Sequence, residues 1–565
     1  VRGYLNYLKI APQENLKFVL HNNLKSVHLN NLKTVPPNNL KSLQEMQMAT
    51  PQEKLANALE ALHQLQNDGR VAIRSEDLDR PQRELLIRRG FLRPVMKGWY
   101  IASPPETMQG ESGIWYTAYW SFCAQYLAER FGETWSLTPE LSLALQTGNR
   151  TIPRQLLVRA KKAGNKATGL LLGTSLFDTR AAIPEGNDLV VQDGLRLFSI
   201  PAALIAASPG YFEANAIDAR AALATIRDAS ELLERLLDKG QSTVAGRLAG
   251  AFRNIGRGRI ADDILKAMDG AGYRVRETDP FEQKLSVMPP RERSPYAGRI
   301  RLMWDVMRGP IIERFPRAPG LPGDVEAFLK SVQDNYITDA YHSLSIEGYR
   351  VSPELIDRVR SGAWNPDADA ADRELKNGLA ARGYWLAYQA VLDSVRDVLG
   401  GANPGEVADA DHGDWYRAMF SPNVQAGLVE AKDLAGYRSG QVYLSGALHV
   451  PLSPDAMRDA MPVFFELLRE EKDASVRVVL GHFIFVYIHP YMDGNGRTGR
   501  FLMNLMLAAG GYPWTVIPVE RRKDYMVALE AASSEQDIVP FAEFLADLVT
   551  RALNGEATAE LPAAR

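Results

Sequence analysis

Cysteine is nearly absent from this sequence. Cys123 is the single one in 565 residues, which excludes an intramolecular disulfide framework and suits either a reducing cytoplasm or a plain core position. Long apolar runs are missing too. No stretch reaches the roughly 18 uninterrupted apolar residues of a membrane span, and the N-terminus lacks the compact apolar core and small-residue cleavage site of a signal peptide. The expectation is a cytoplasmic protein with no membrane contact. Charge of one sign is also scarce: 65 basic and 68 acidic side chains nearly cancel at a net -3, so any nucleic-acid contact must come from a local patch.

What is present is length. A chain of 565 residues exceeds what one hydrophobic core supports, so about two to four domains are expected. Residues 1–47 stand apart, with ENLK followed by three copies of NNLK and leucines at Leu16, Leu24, Leu32 and Leu40. A period of eight advances a helix by about two turns plus 80°, so these leucines form no straight stripe, and Pro36-Pro37 opposes a strand. The segment reads as a flexible lysine-bearing arm or, preferably, as a non-native leader with translation beginning near Met46 or Met48.

From residue 48 to 105 the order is helix, short strand, helix, helix, hairpin. Between Arg70 and Lys97 eight basic residues face four acids, and a short helix around PQRELLIRRG presents Arg83, Arg88 and Arg89 as DNA-contact candidates while Leu85, Leu86 and Ile87 anchor it. An ordinary solvated helix accounts for the same charges. A second basic stretch, Arg150, Arg154, Arg159, Lys161, Lys162 and Lys166, contains no acid. The segments RRGFLRPVMKGWYIAS, TPELSLALQTGNRTIPRQLLV and STVAGRLAGAFRNIGRGRIADDILKAMDGAGYRVRETDPF resemble the abortive-infection antitoxin family over roughly residues 50–282. That resemblance implies a winged-helix domain at 48–105, a mixed α/β middle domain at 106–285, DNA binding and transcriptional regulation. A Pro- and Arg-rich connector with some docked helix is expected at 286–323, a mainly helical region with a small β-hairpin at GQVYLSGALHVPL from 324 to 555, and a flexible C-terminus at 556–565.

The densest chemistry lies in HPYMDGNGRTGR, from His489 to Arg500, between the apolar run GHFIFVYI and the helical GRTGRFLMNLMLAAG. Gly494 and Gly496 at a helix start let unpaired amides converge on an anion, most naturally phosphate. Arg497 and Arg500, three apart, can face one polyphosphate. Asp493 can hold Mg²⁺ together with phosphate oxygens, and His489 is placed to take a proton. A Walker loop would need a lysine that is absent here, and an EF-hand would need further oxygen ligands. A glycine-rich helix start explains any one of these residues, though not their joint occurrence.

The stretch resembles the Fic signature HxFx[DE]GNGRxxR, with Tyr491 in the phenylalanine place, and the likeness extends over about residues 324–552. It implies a helical domain that transfers AMP from ATP to a hydroxyl side chain of a protein target, the chain itself among the candidates. His489 would be the base, Asp493 the Mg²⁺ ligand, Gly494, Asn495 and Gly496 phosphate binders, Arg497 a partner of the leaving pyrophosphate and Arg500 a grip on the γ phosphate. Val442, Tyr443 and Leu444 would belong to a flap that docks the target by main-chain pairing. In YHSLSIEGYR, Ser343, Glu347 and Gly348 resemble the family's inhibitory pattern [ST]xxxE[GN], which implies that Glu347 occupies Arg500. Removal of AMP, or a regulator that uses the domain as a nucleotide sensor, are the rival functions. Homo-oligomerisation is left open.

Overall fold

The computed structural model describes residues 50–105, 113–238, 240–281, 294–365, 375–444 and 446–562. The segment 1–47 expected as a leader, residues 286–293 of the expected connector and residues 563–565 lie outside them. The chain divides into two compact units: Val1–Thr138 with Ile152–Ser199 and Val442–Val450, and Pro139–Thr151 with Ile200–Gln441 and Pro451–Arg565. These units cut across the boundaries expected at 105/106 and 285/286.

Among the described residues the first unit begins with α1 (Pro51–Asn67). Thr50 caps it by accepting from the Glu53 amide while the Glu53 carboxylate accepts from the Thr50 amide, and Pro51 sits where a missing N–H costs nothing. Next come β1 (Ile73–Arg74), α2 (Arg80–Arg88) and the antiparallel pair β2 (Leu92–Met96) and β3 (Trp99–Ala102), in sheet order β1-β3-β2. The second of the two helices expected before the hairpin is α2. The first is replaced by a turn, because the Asp77 carboxylate takes the Arg74 backbone N–H at 2.8 Å and offers the chain an alternative to helical pairing.

The apolar helix α3 (Gly113–Phe131) leads to β4 (Trp135–Leu137), and β5 (Gln155–Ala160), β6 (Lys166–Gly169) and β7 (Ser175–Thr179) complete a sheet in the order β4-β5-β7-β6. In β5, Leu156, Val158 and Ala160 are buried while Gln155 and Leu157 are exposed, as a strand with one covered face requires. β8 (Leu189–Gln192) and β9 (Leu195–Phe198) form a separate antiparallel pair. The segment 442–450 joins this unit without strand pairing among its described residues. Ala447 closes a turn onto the Leu444 carbonyl, and the Leu448 carbonyl accepts from the Ile152 amide at 3.0 Å. The expected β-hairpin is therefore a turn.

The second unit is helical among its described residues. The expected connector is largely α4 (Pro295–Arg314), whose buried Ile300, Met303, Trp304, Met307 and Ile311 recur at helical spacing. Proline and arginine content hid that period, although Pro295 opens the helix where its ring is tolerated. α5 (Tyr336–Ile346), α6 (Leu375–Leu399), α7 (Pro404–Gln425), α8 (Ala474–Ile488) and α9 (Asn495–Gly510) build the core around the last two. α8 is apolar around its whole circumference and so becomes the central helix, packed by α9, α4 and the helix Pro454–Glu470. A buried ion pair between Arg299 of α4 and Asp218, with Arg299 Nε also donating to Tyr487 Oη at 3.0 Å, ties the 200–270 helices to the end of α8. Near the C-terminus, the Glu560 carbonyl accepts from His342 Nε2 at 3.1 Å.

Candidate active site

α8 ends at His489, which takes a left-handed conformation (φ 57°, ψ 63°) and donates its amide to the Phe485 carbonyl at 2.9 Å. His489 Nδ1 lies 3.2 Å from the Val486 carbonyl, which can only accept, so Nδ1 carries the proton and Nε2 the lone pair. The histidine is thus held in the tautomer of a base.

The loop from Pro490 to Gly494 is shaped by its own side chains. Asn495 Oδ1 accepts from the Tyr491 amide at 2.9 Å and Nδ2 donates to the Tyr491 carbonyl at 2.8 Å. Both polar ends of its side chain thus bind the loop, and its backbone N–H lies at the helix start, where a phosphate would be met. Tyr491 is buried and stacks on Tyr416 with ring centres 3.9 Å apart, a large aromatic anchor in the place of phenylalanine. Gly494 starts α9 in the left-handed region at φ 81°, and the backbone N–H groups of the first turn of α9 point out of the helix start. A Cβ on Gly496 would collide with Glu347 Oε1 and approach Arg500 Nη1 to 3.2 Å, so only glycine leaves this cradle open.

Two guanidiniums line the cradle. Arg497, 2% exposed, has its head 5.4 Å from the Tyr349 ring centre and 5.1 Å from that of Phe420, with Nη2 3.3 Å from Asp493 Oδ1. Arg500 donates from Nε to Ser343 Oγ at 2.9 Å and from Nη2 to the Ser343 carbonyl at 3.0 Å and Glu347 Oε1 at 2.8 Å. Its buried Nη1 finds no acceptor among the described residues, an orphaned donor suited to an anion. Asp493 is 38% exposed, and its Oδ1 also accepts from the Gly494 amide. No group of three or more potential metal ligands occurs among the described residues, so an ion here would rest on one carboxylate, which is how Mg²⁺ is held when phosphates supply the other oxygens.

Glu347 reaches Arg500 because α5 ends on it. Gly348 follows at φ 84° and donates to the Ser345 carbonyl at 2.9 Å, while Tyr349 donates to the Leu344 carbonyl at 3.1 Å. These two bonds are a Schellman cap, so Gly348 serves by geometry rather than by contact. Burial pushes the Glu347 carboxyl up, but the Arg500 and Arg497 guanidiniums outweigh it and hold the pKa below its ordinary 4.5. Beneath Arg500, buried Asp339 accepts from Tyr384 Oη at 2.6 Å.

His489, Asp493, Arg497, Arg500, Ser343 and Glu347 are therefore joined through one loop and one helix end. Val442, Tyr443 and Leu444 lie in the other unit. Of the DNA candidates, Arg88 and Arg89 are exposed, but Arg83 is not presented outward: its guanidinium donates to the carbonyls of Ser75 and Leu78 and braces the turn before α2. Sequence reasoning missed Tyr349 and Phe420, the aromatic walls of Arg497, and Arg438. Arg438 is buried three residues before Gln441 and donates from Nε to the His489 carbonyl at 2.8 Å. Its signal, GYR just ahead of Gln441, carries no mark of burial.

Protein adenylyltransferase Fic of Drosophila yakuba is 39% identical to the chain over 246 residues, and that of Drosophila willistoni 31% over 242. Each alignment covers 42% of this chain and 45% of the relative, so the chain spans under half the length of these proteins. The solved structure of Fic-1 from C. elegans aligns with a TM-score of 0.33 at 19% identity, covering 60% of this chain and 97% of that one. Residues 415–507, which include the histidine loop, match the model of the Fic/DOC family.

Proposed function

We propose that the chain is a self-inhibited protein adenylyltransferase, moving AMP from ATP to a Ser, Thr or Tyr hydroxyl of a protein target. The observation that carries the reading is the convergence on one helix start of a base-tautomer histidine, open backbone donors and two buried guanidiniums. His489 Nε2 takes the hydroxyl proton, the oxygen attacks the α phosphorus, and the bond to pyrophosphate breaks. The amides at the start of α9 and Arg497 neutralise the phosphate charge, and Arg500 grips the γ phosphate once Glu347 leaves it. Asp493 would hold Mg²⁺, which would offset charge on the phosphates. The drosophilid relatives named as protein adenylyltransferases support the reaction class.

The test is incubation of the full chain with α-labelled ATP and cell extract, beside His489→Ala. Label on protein that vanishes in His489→Ala, with ATP binding kept, supports the reading. Equal labelling by both proteins refutes it, and release of AMP from premodified protein with no labelling would favour removal of AMP instead.

For the N-terminal region we propose DNA binding through the exposed Arg88 and Arg89. Neutralising either guanidinium takes one cation away from the phosphate backbone and should lower the salt slope of binding by about one. Binding of the double variant to duplex DNA with an unchanged slope would remove these residues from that role. No described helix is long and apolar enough to cross a membrane.

A further inference from the structure

We propose that Arg438 is a positioning residue for adenylyl transfer, setting the two stems of the target-docking segment in register with the catalytic histidine. The proposal rests on the transfer reading above. Arg438 is 1% exposed, and three of its side-chain donors go to backbone carbonyls from three separate places. Nε donates to His489 at 2.8 Å, Nη1 to Gly440 at 2.9 Å, and Nη2 to Leu452. Its own amide donates to the Pro490 carbonyl at 2.9 Å. Gly440 lies just before the segment that begins at Gln441 and Leu452 just after its end at Pro451, and Gln441 Nε2 closes the base by donating to the Pro451 carbonyl at 2.7 Å. One planar group therefore fixes where the segment leaves the helical unit, where it returns, and the carbonyl of the base.

Burying a guanidinium is expensive, and a hydrophobic side chain would fill the same volume at lower cost. The burial is accounted for if the fork is needed for its shape: three N–H groups in fixed directions hold three carbonyls that belong to no shared helix or sheet. His489 has special need of this, because its left-handed conformation turns its carbonyl out of α8 and away from the helical ladder. Arg438 supplies the donor that makes this conformation self-consistent. No atom of Arg438 is assigned to the nucleotide, whose cradle is built from α9 and Arg497, so the inference separates alignment of the attacking hydroxyl from binding of ATP.

The experiment uses the full chain carrying Glu347→Gly, with Arg438→Met or Arg438→Lys added. ATP affinity is measured by calorimetry, kcat and KM for ATP by labelling of acceptors in cell extract, and folding by thermal unfolding. Since a misplacement of about 1 Å costs roughly a hundredfold in rate, kcat should fall about a hundredfold in Arg438→Met. ATP affinity should stay within about twofold, as expected when an interaction acts on the chemical step alone. Arg438→Lys keeps the charge without the fork and should recover only a minor part. The proposal is overturned if folded Arg438→Met keeps full kcat, if kcat and ATP affinity fall together, or if both variants unfold, since each result makes Arg438 either dispensable or an ordinary core residue. If the Glu347→Gly parent shows no labelling that depends on His489, the transfer reading fails instead, and the two failures are distinct.

Discussion

Replacing Glu347 by glycine should raise adenylyl transfer, and the structure gives the size of the effect. The carboxylate is bound to Arg500 Nη2 at 2.8 Å, with Arg500 5% and Glu347 26% exposed, and it lies over Gly496 at the start of α9. On the self-inhibition proposed above, it competes with the γ phosphate for both the guanidinium and the helix terminus. A hydrogen bond to a charged group contributes about 1.5–3 kcal/mol. Partial exposure of the carboxylate favours the lower end of that range, and about 1.4 kcal/mol corresponds to a tenfold population change. Ser343 still accepts twice from Arg500 after the substitution, so the freed guanidinium stays in place. The assay is the initial rate of label transfer from α-labelled ATP over a range of ATP concentrations, with Arg500→Ala added as a control that should abolish the gain. No increase in folded Glu347→Gly at any ATP concentration refutes self-inhibition through this pair. The pH dependence follows from the sign of the shift. With a folded pKa below 4.5, the pair contributes stability above 4.5 and loses it only as pH falls through the lower folded value. Between pH 8 and 5 the wild type should therefore show no acid-induced release.

Asn495→Ala deletes both bonds that close the Tyr491–Asn495 loop and leaves a buried amide and carbonyl unpaired. Stability should fall by about 2–4 kcal/mol in denaturant unfolding, and a loss below about 0.5 kcal/mol would show that the loop is held otherwise. Burial pushes the Asp339 pKa from 3.8 up to about 6 against the hydrogen bond from Tyr384, so ionising it costs folding energy. That group's contribution is intact below 3.8 and is lost as pH rises through about 6. Asp339→Asn should gain Tm relative to wild type progressively over that window, and a pH-independent difference would refute the assignment. Gly348→Val should raise basal transfer, because a β-branched residue at φ 84° costs about 1–2 kcal/mol and loosens the end of α5. Gly348→Asn, which tolerates that φ, should change it far less, and equal effects would exclude the backbone as the cause.

The histidine loop was legible because its chemistry is contiguous: twelve residues hold the base, the helix start and both guanidiniums. Ser343 and Glu347 were singled out through the likeness of YHSLSIEGYR to the pattern [ST]xxxE[GN], whose two residues stand four apart and so share a helix face. The misreadings have physical causes. Arg83 has a side chain suited to an external ligand, but its guanidinium is taken by the Ser75 and Leu78 carbonyls. Arg438 was invisible because its partners are carbonyls, which every residue has, gathered by folding from places up to 51 residues away. In α4 the apolar period was present, and the surrounding prolines and arginines outweighed it in the composition. The stretch after Gly440 alternates as a strand should, yet a strand needs a ladder partner, and no sequence pattern guarantees one.

The inhibitory pattern can be restated as two local rules and one tertiary coincidence. An [ST] and an E four apart put a hydroxyl and a carboxylate on one helix face. A G or N after the glutamate accepts the left-handed conformation that ends the helix, so the carboxylate becomes the last helical side chain and projects past the end of the ladder. Here nothing lies within 4 Å of a Cβ at Gly348, so the choice of residue is set by φ alone and not by space. The coincidence is that the projecting carboxylate meets the start of α9, where the helix terminus and Arg500 already favour an anion. A site able to hold the γ phosphate is, by the same physics, able to hold a carboxylate from its own chain. The self-inhibition proposed for this chain would therefore need no pocket of its own, only a helix that ends in the right place.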